Sequence, residues 1–266
     1  MDLSHIRMVV ADMDGTLLNP AHEVSNRFFD LYHSLRDKGV EFVAASGRQY
    51  HSMADKLAPI RDEIVFIAEN GALVRWRDQT LMTTPLPSRH VGEILRRASG
   101  IRQAHPVLCA SSSAYVDGAS DDFLTLLQEY YTEYTIAPDL GAVTDPLMKV
   151  AIYHWESSEQ FIYPAFADME DTLKVKVSGS NWVDVSHPDA HKGHALEALM
   201  AQRGLGRHQI MVFGDYNNDL EMLALSDYSF AMANAHPNVK KVARYETGGN
   251  DEGGVEQVLE ALLRQV

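Results

Sequence analysis

Asp12 and Asp14 stand one residue apart in VVADMDGTLLNPAHE, residues 9 to 23, after a short apolar run and just before Gly15 and Thr16. Two carboxylates this close repel one another and resist burial, so the pair demands a cation or a charged ligand. Hard oxygen ligands suit Mg²⁺, which keeps several waters and binds one or two carboxylates together with a substrate phosphate. Beside such an ion an aspartate can attack phosphorus, because the cation shields nucleophile from anionic substrate. On a surface loop the same pair would be solvated charge. Its position at the end of an apolar strand makes it a candidate reaction centre.

Three further segments carry matching chemistry. Ser46, Gly47 and Arg48 follow the apolar run VEFVAAS, where a hydroxyl and backbone N–H groups suit a phosphate oxygen or, equally, a helix N-cap. Arg48 adds charge there or lies on the surface. Lys192 precedes a helix expected from about Gly193 and could hold a phosphate while offsetting the nucleophile's charge. In GDYNND, residues 214 to 219, Gly214 lets backbone pass close, Asp215 extends from a strand as a metal ligand, and Asn218 and Asp219 stand at a helix start. Capping explains one of those last residues but not three acidic or amide groups in five positions.

The elements that must position these groups alternate. IRMVVA reads as a strand, and Ser25 caps a helix that turns Phe28, Phe29, Leu31, Tyr32 and Leu35 to one face, with Gly39 closing it. A second strand, a helix over 50 to 57 and the strand IVFIAENGA follow, a β-α-β-α-β order that predicts a parallel sheet covered by helices. The last third repeats it: helix 193 to 202, strand QIMVFGD, helix 218 to 225, strand YSFAMA and a closing helix over 255 to 264. Ligands bind where such strands end, and Asp12, Ser46 and Asp215 all sit at strand ends.

Between these ends the texture changes. Helices are expected to about Ser99, over 121 to 131 and over 158 to 170, with strands near 106 to 110, 114 to 117 and in MKVAIYHW, and a hairpin turning at Ser180 and Asn181. Residues 84 to 188, flanked by Pro85, Pro87 and Pro188, are therefore expected as an inserted α/β domain, with 1 to 83 and 189 to 266 forming the core. Tyr115, His154 and Trp182 are its candidate substrate-facing groups, each also readable as core or surface.

Composition bounds the partners. A formal net charge of -14 argues against nucleic acid or an anionic membrane as the main partner, since either calls for a basic surface. The single cysteine, Cys109, excludes an internal disulfide and a thiolate-rich metal site, which makes a reducing compartment, the cytoplasm, the expected location. The N-terminus lacks a basic region followed by a long apolar stretch, and no run approaches the roughly 18 apolar residues of a membrane span. None of the 12 histidines shows zinc spacing, and His187, His191 and His194 read as loop residues.

Together DMDGT, SGR, the lysine of HKGHAL and GDYNND, in this order, resemble the haloacid dehalogenase superfamily of phosphotransferases, specifically its Cof-like phosphatases. ENGA, FAMANAHPNVKKVA and GGNDEGGV are similar to that subgroup as well. The resemblance implies a Rossmann-like parallel-sheet core with an inserted α/β cap that selects the substrate. It implies Asp12 as a nucleophile forming an aspartyl-phosphate, and Asp14 as the acid and base. Mg²⁺ would be held by Asp12, the backbone carbonyl of Asp14 and Asp215, with Asp219 in support. Ser46, Gly47, Lys192, Asn218 and the backbone N–H of Met13 would bind the phosphoryl group.

An aspartate at position 14, where the related ion-pumping ATPases carry threonine, implies turnover of the phosphoenzyme. The expected activity is Mg²⁺-dependent hydrolysis of a small phosphorylated metabolite, a sugar phosphate or a phosphorylated cofactor. A phosphomutase or phosphotransferase on the same scaffold is the second reading, separable by product assay. A phospho-receiver module without turnover is the third; the inserted domain and GDYNND weigh against it.

Overall fold

The first strand, β1 (Met8–Asp12), is buried along its whole length, as an apolar run in the middle of a two-faced sheet must be. It leads to α1 (Asn26–Arg36), which starts where Ser25 Oγ accepts the Phe28 N–H at 3.0 Å and buries Phe28, Leu31, Tyr32 and Leu35, one stripe of an amphipathic helix. Gly39, at φ +80°, takes the chain out of the helix. Then come β2 (Glu41–Ala45), α2 (Tyr50–Lys56), β3 (Val65–Ala68) and a hairpin of β4 (Leu73–Trp76) and β5 (Gln79–Thr83), which sequence reading left out. This computed structural model describes residues 1–266 except 112, 119, 129 and 132.

The chain forms two compact units, one of Met1–Met82 with His191–Val266, the other of Thr83–Ala190. The inserted unit contains α3 (Val91–Ser99), β6 (Ala104–Ala110), β7 (Ala114–Val116), α4 (Asp121–Leu127), β8 (Tyr134–Ile136), β9 (Leu147–His154), α5 (Ser158–Phe161), β10 (Lys174–Val177) and β11 (Trp182–Ser186). Its strands form a sheet in the order β10-β11-β9-β6-β7-β8, antiparallel except for β7 with β8. One apolar cluster includes Ile94, Val150, Ile152, Phe166 and Val183, and a second gathers Phe123, Leu127, Tyr131, Tyr153 and Trp182.

The helix expected over 158 to 170 is a single turn, α5, followed by 3-10 turns at Tyr163–Ala165 and Ala167–Asp171. Pro164 has no N–H and disfavours helical backbone in the residue before it, which breaks the run. The helix expected over 121 to 131 is Asp121–Leu127, and residue 129 of that span lies outside the described residues.

The chain returns through α6 (Lys192–Arg203), β12 (Ile210–Gly214), α7 (Leu220–Ala224), β13 (Tyr228–Ala231), α8 (Pro237–Val242), β14 (Tyr245–Glu246) and α9 (Gly254–Leu263). The core sheet has the order β14-β13-β12-β1-β2-β3-β4-β5. Every pair from β14 to β3 is parallel, and β4 joins β3 antiparallel at the edge. The fold is thus α/β, a parallel-sheet core interrupted by an inserted α/β unit. Among the described residues no helix is long and apolar enough to cross a membrane.

Candidate active site

The chain leaves β1 for β2 on one side and later reaches β12 on the other, so the strand order reverses at β1. In open α/β sheets a crevice lies beyond the carboxyl end of the strands at this point. Asp12 ends β1, Ser46 follows β2 and Asp215 follows β12, so parallel pairing of β1 with both neighbours carries all three to the same edge.

Asp12 is 5% exposed and Lys192 fully buried. The Lys192 ammonium pairs with Asp12 and, at 2.7 Å, with Asp219 Oδ1. Lys192 opens α6, where the helix dipole disfavours a cation, so these carboxylates hold it there. Burial works against its charge, but the two acids outweigh it and raise its pKa. Burial pushes Asp12 well above the usual carboxylate range; Lys192 opposes, and the charges of Asp219 and Asp215 add to the rise. Gly71, at φ +98°, lets the turn after β3 press on the His191 backbone, where a Cβ would collide. His191 caps α6, its Nδ1 accepting the His194 N–H at 3.1 Å.

Asp219 Oδ2 accepts the backbone N–H groups of Asp215 and Tyr216 at 3.0 and 3.1 Å, folding GDYNND back on itself. Asp215 accepts a hydrogen bond from Thr16 Oγ1 at 3.1 Å. Its pKa is pushed up to about 6, by burial first and then by Asp219. Gly15, at φ +79°, lies so close that a Cβ there would run into the Asp215 carboxylate.

Asp14, two residues beyond the strand, is gripped by Arg48, Nε to Oδ2 and Nη2 to Oδ1, both at 2.6 Å. His22 Nδ1 lies 3.6 Å from Asp14 Oδ1. Burial raises the Asp14 pKa, but the hydrogen bonds and charge of Arg48 win and hold it below the usual carboxylate range.

Ser46 does not cap a helix. Its Oγ accepts the Arg48 N–H at 3.1 Å within the turn, and the N-cap of α2 is Gln49. A Cβ at Gly47 would press on the Asn70 amide, and Asn70 Oδ1 accepts from Asn218 Nδ2 at 3.1 Å. Asn70 itself has φ +55°, a region where asparagine is among the tolerated residues.

The core unit therefore pairs Lys192 with Asp12 and Asp219 and gathers Asp215 beside these carboxylates, with Asp14 next to them on the β1 loop and Asn218 linked through Asn70 to the Ser46–Gly47 turn. Arg48, Thr16 and Asn70 contribute more than the sequence suggested. Only the S-G-R triplet hinted at the arginine, and nothing local at Thr16. Tyr115, His154 and Trp182 are engaged within the inserted unit. Tyr115 O–H donates to Asp145 Oδ2 at 2.5 Å, His154 Nε2 lies 3.1 Å from the Arg102 carbonyl, and Trp182 packs edge-on against Tyr153 with ring centroids 5.0 Å apart.

One carboxylate oxygen from each of Asp12, Asp215 and Asp219 lies within 4.8 Å of the other two. Two unit charges 4 Å apart repel by about 4 kcal/mol at the effective dielectric of a protein surface. Three carboxylates against one ammonium leave two negative charges, so this all-oxygen donor set fits a hard divalent cation.

Residues 9–259 match the family model of haloacid dehalogenase-like hydrolases. The chain is 28% identical over 262 residues to the 5-amino-6-(5-phospho-D-ribitylamino)uracil phosphatase of Escherichia coli (strain K12), 97% of each chain being covered. It is 26% identical over 259 residues to the HMP-PP phosphatase of Serratia proteamaculans (strain 568), covering 89% of this chain and 87% of that protein. A solved structure from Streptococcus mutans UA159 matches with a TM-score of 0.86 and 29% identity, covering 97% of this chain and 99% of the other. With the family pattern matched over nearly its whole length, this chain belongs to the haloacid dehalogenase-like hydrolases.

Proposed function

We propose that this protein is a Mg²⁺-dependent phosphatase of small phosphorylated metabolites, sugar phosphates or phosphorylated cofactors, working through a phosphorylated Asp12. The observation that carries this reading is the cluster of buried Asp12, Asp219 and Lys192 with half-buried Asp215 at the carboxyl end of β1, with Asp14 two residues beyond Asp12. The two relatives named above support the substrate class: one acts on a phosphoribitylaminouracil, the other on HMP-PP.

Asp12, the backbone carbonyl of Asp14 and Asp215 would hold the ion, and Asp219 would orient Asp215 and Lys192 from behind. When bound, Mg²⁺ supplies charge neutralisation and polarises the phosphoryl group. Lys192, Ser46, Gly47, Asn218 and the backbone N–H of Met13 fix the phosphoryl oxygens, since phosphoryl transfer asks mainly for positioning and charge stabilisation. An Asp12 carboxylate oxygen attacks phosphorus as the bond to the leaving oxygen breaks, and Asp14, having taken up a proton from solvent as one arm of the Arg48 fork lets go, passes that proton to the leaving oxygen. Asp14 then takes a proton from water as the water oxygen attacks the same phosphorus, releasing inorganic phosphate and free Asp12. Selection among substrates falls to the inserted unit.

A phosphate-release screen over sugar phosphates, nucleotides, pyridoxal phosphate and flavin mononucleotide tests the proposal. Release should stop with EDTA and with Asp12→Asn. Activity that survives either overturns it, and phosphate found on a second hydroxyl instead of in solution makes the enzyme a transferase.

A further inference from the structure

The loop that carries Asp14 is tied down from the far end of the chain. Asn234 Nδ2 donates to the Gly15 carbonyl at 2.8 Å, and Asn250 Nδ2 donates to the Leu18 carbonyl at 2.8 Å. The two asparagines are joined, since the Asn250 backbone N–H donates to Asn234 Oδ1 at 3.1 Å. Two residues on from Asn234, the His236 N–H donates to the Asp215 carbonyl at 2.8 Å. One short segment after β13 thus touches the backbone of both loops that supply carboxylates. Between its two anchored carbonyls the loop is a tight turn, with the Leu18 N–H on the Met13 carbonyl at 2.8 Å.

The turn has little freedom of placement on its other side. Thr16 Oγ1 donates to Asp215, and Gly15 packs where no side chain fits against that carboxylate. A small shift of the turn therefore changes both the approach of Gly15 to Asp215 and the position of Asp14.

We propose that Asn234 and Asn250 form a clamp of positioning residues that holds the Asp14–Leu18 turn against Asp215 and so sets the geometry of the acid/base and of the cation site. This rests on the roles given above to Asp14 and Asp215. Neither asparagine touches substrate; each acts through a carbonyl of the turn. Partners of this kind, one step behind a ligand, typically change metal affinity or activity by 10–100-fold when altered. Because Asn234 is exposed, its effect belongs near the lower end, about tenfold.

The test uses the full chain and its Asn234→Ala, Asn234→Asp and Asn250→Ala variants, with Asp12→Asn in parallel. The aspartate variant keeps an acceptor for the Asn250 N–H and removes the donor to Gly15, which covers the case in which the alanine variant folds poorly. Mg²⁺ affinity is read by calorimetric titration, phosphate-site integrity by inhibition with inorganic phosphate, and catalysis by kcat and KM. The clamp predicts about tenfold weaker Mg²⁺ binding and lower kcat for both Asn234 variants, with unchanged phosphate inhibition and an unchanged melting temperature in EDTA. The Asn234 and Asn250 effects should be less than additive, because they share one turn. Wild-type Mg²⁺ affinity and kcat in both Asn234 variants, alongside an inactive Asp12→Asn, overturns the clamp alone. Equal losses in melting temperature, phosphate inhibition and kcat make the asparagines general structural supports and also overturn it. An active Asp12→Asn instead overturns the mechanism beneath it.

Discussion

Arg48 holds both carboxylate oxygens of Asp14, each at 2.6 Å, in a fork that leaves the acid no free rotation. Asp14 is thereby oriented and, before substrate arrives, held toward its ionised form. As a donor to a leaving group it must let one arm of the fork go.

Arg48→Met should therefore hurt most where protonation of the leaving group matters. General acid–base assistance is worth about 10²–10⁴-fold, and Arg48 supplies the orientation on which it depends. On alkyl phosphates kcat should fall by at least about tenfold, whereas p-nitrophenyl phosphate, whose leaving group departs as an anion, should lose much less. Parallel losses on both substrates would show that Arg48 serves binding instead.

Asp12 and Lys192 should respond to substitution with opposite signs of stability. In EDTA, Asp12→Asn removes one of the crowded carboxylates while Lys192 keeps Asp219, so its melting temperature should equal or exceed that of the wild type. Its activity should fall by on the order of 10³-fold or more, as when other covalent nucleophiles are removed. Lys192→Met strands Asp12 and Asp219 as buried charges and should cost about 3–5 kcal/mol. Thermal unfolding of both variants in EDTA checks the contrast; an Asp12→Asn chain less stable than Lys192→Met would contradict it.

Gly15→Ala should cripple cation binding before it unfolds the chain. The left-handed backbone alone costs about 1–2 kcal/mol for a residue with a Cβ. The added methyl also displaces the Asp215 carboxylate. Calorimetry should find Mg²⁺ binding much weaker, and wild-type affinity would refute the placement of Asp215 as a ligand.

The response to Mg²⁺ should depend on pH through Asp215. Its folded pKa, about 6, lies above the ordinary carboxylate value of about 4, so the metal-free folded chain binds this proton more tightly than the unfolded chain does. That contribution to stability is full at low pH and is lost as pH rises from about 4 to about 6. Cation binding needs the ionised carboxylate and runs the other way. The rise in melting temperature on adding Mg²⁺ should be small at pH 5, grow through pH 6 and level off above pH 7. A rise of constant size across this range would contradict the ligand role.

The strand-end acids were legible in the sequence because apolar runs that stop in Asp12 and Asp215 leave few places for a carboxylate other than the edge of a sheet. Lys192 was legible only by association, since its partners lie 180 and 27 residues away. Arg48 shows the limit: a guanidinium on a long stem reaches whatever the fold brings near, and Asp14 is 34 residues back. The β4–β5 hairpin went unread because its turn lacks the usual Asn-Gly signal; Arg77 takes φ +54° there instead. His191 read as a loop residue because its capping role depends on where α6 begins, a boundary that periodicity leaves loose by a residue or two.

Rapid acid quenching during turnover of a radiolabelled phosphate ester, followed by peptide mapping, tests the central claim most directly. Label should appear on the peptide that contains Asp12, pass into inorganic phosphate on a chase with unlabelled substrate, and be absent from Asp12→Asn. Phosphate release at full rate with no label on that peptide, or with label on another residue, would contradict Asp12 as the nucleophile.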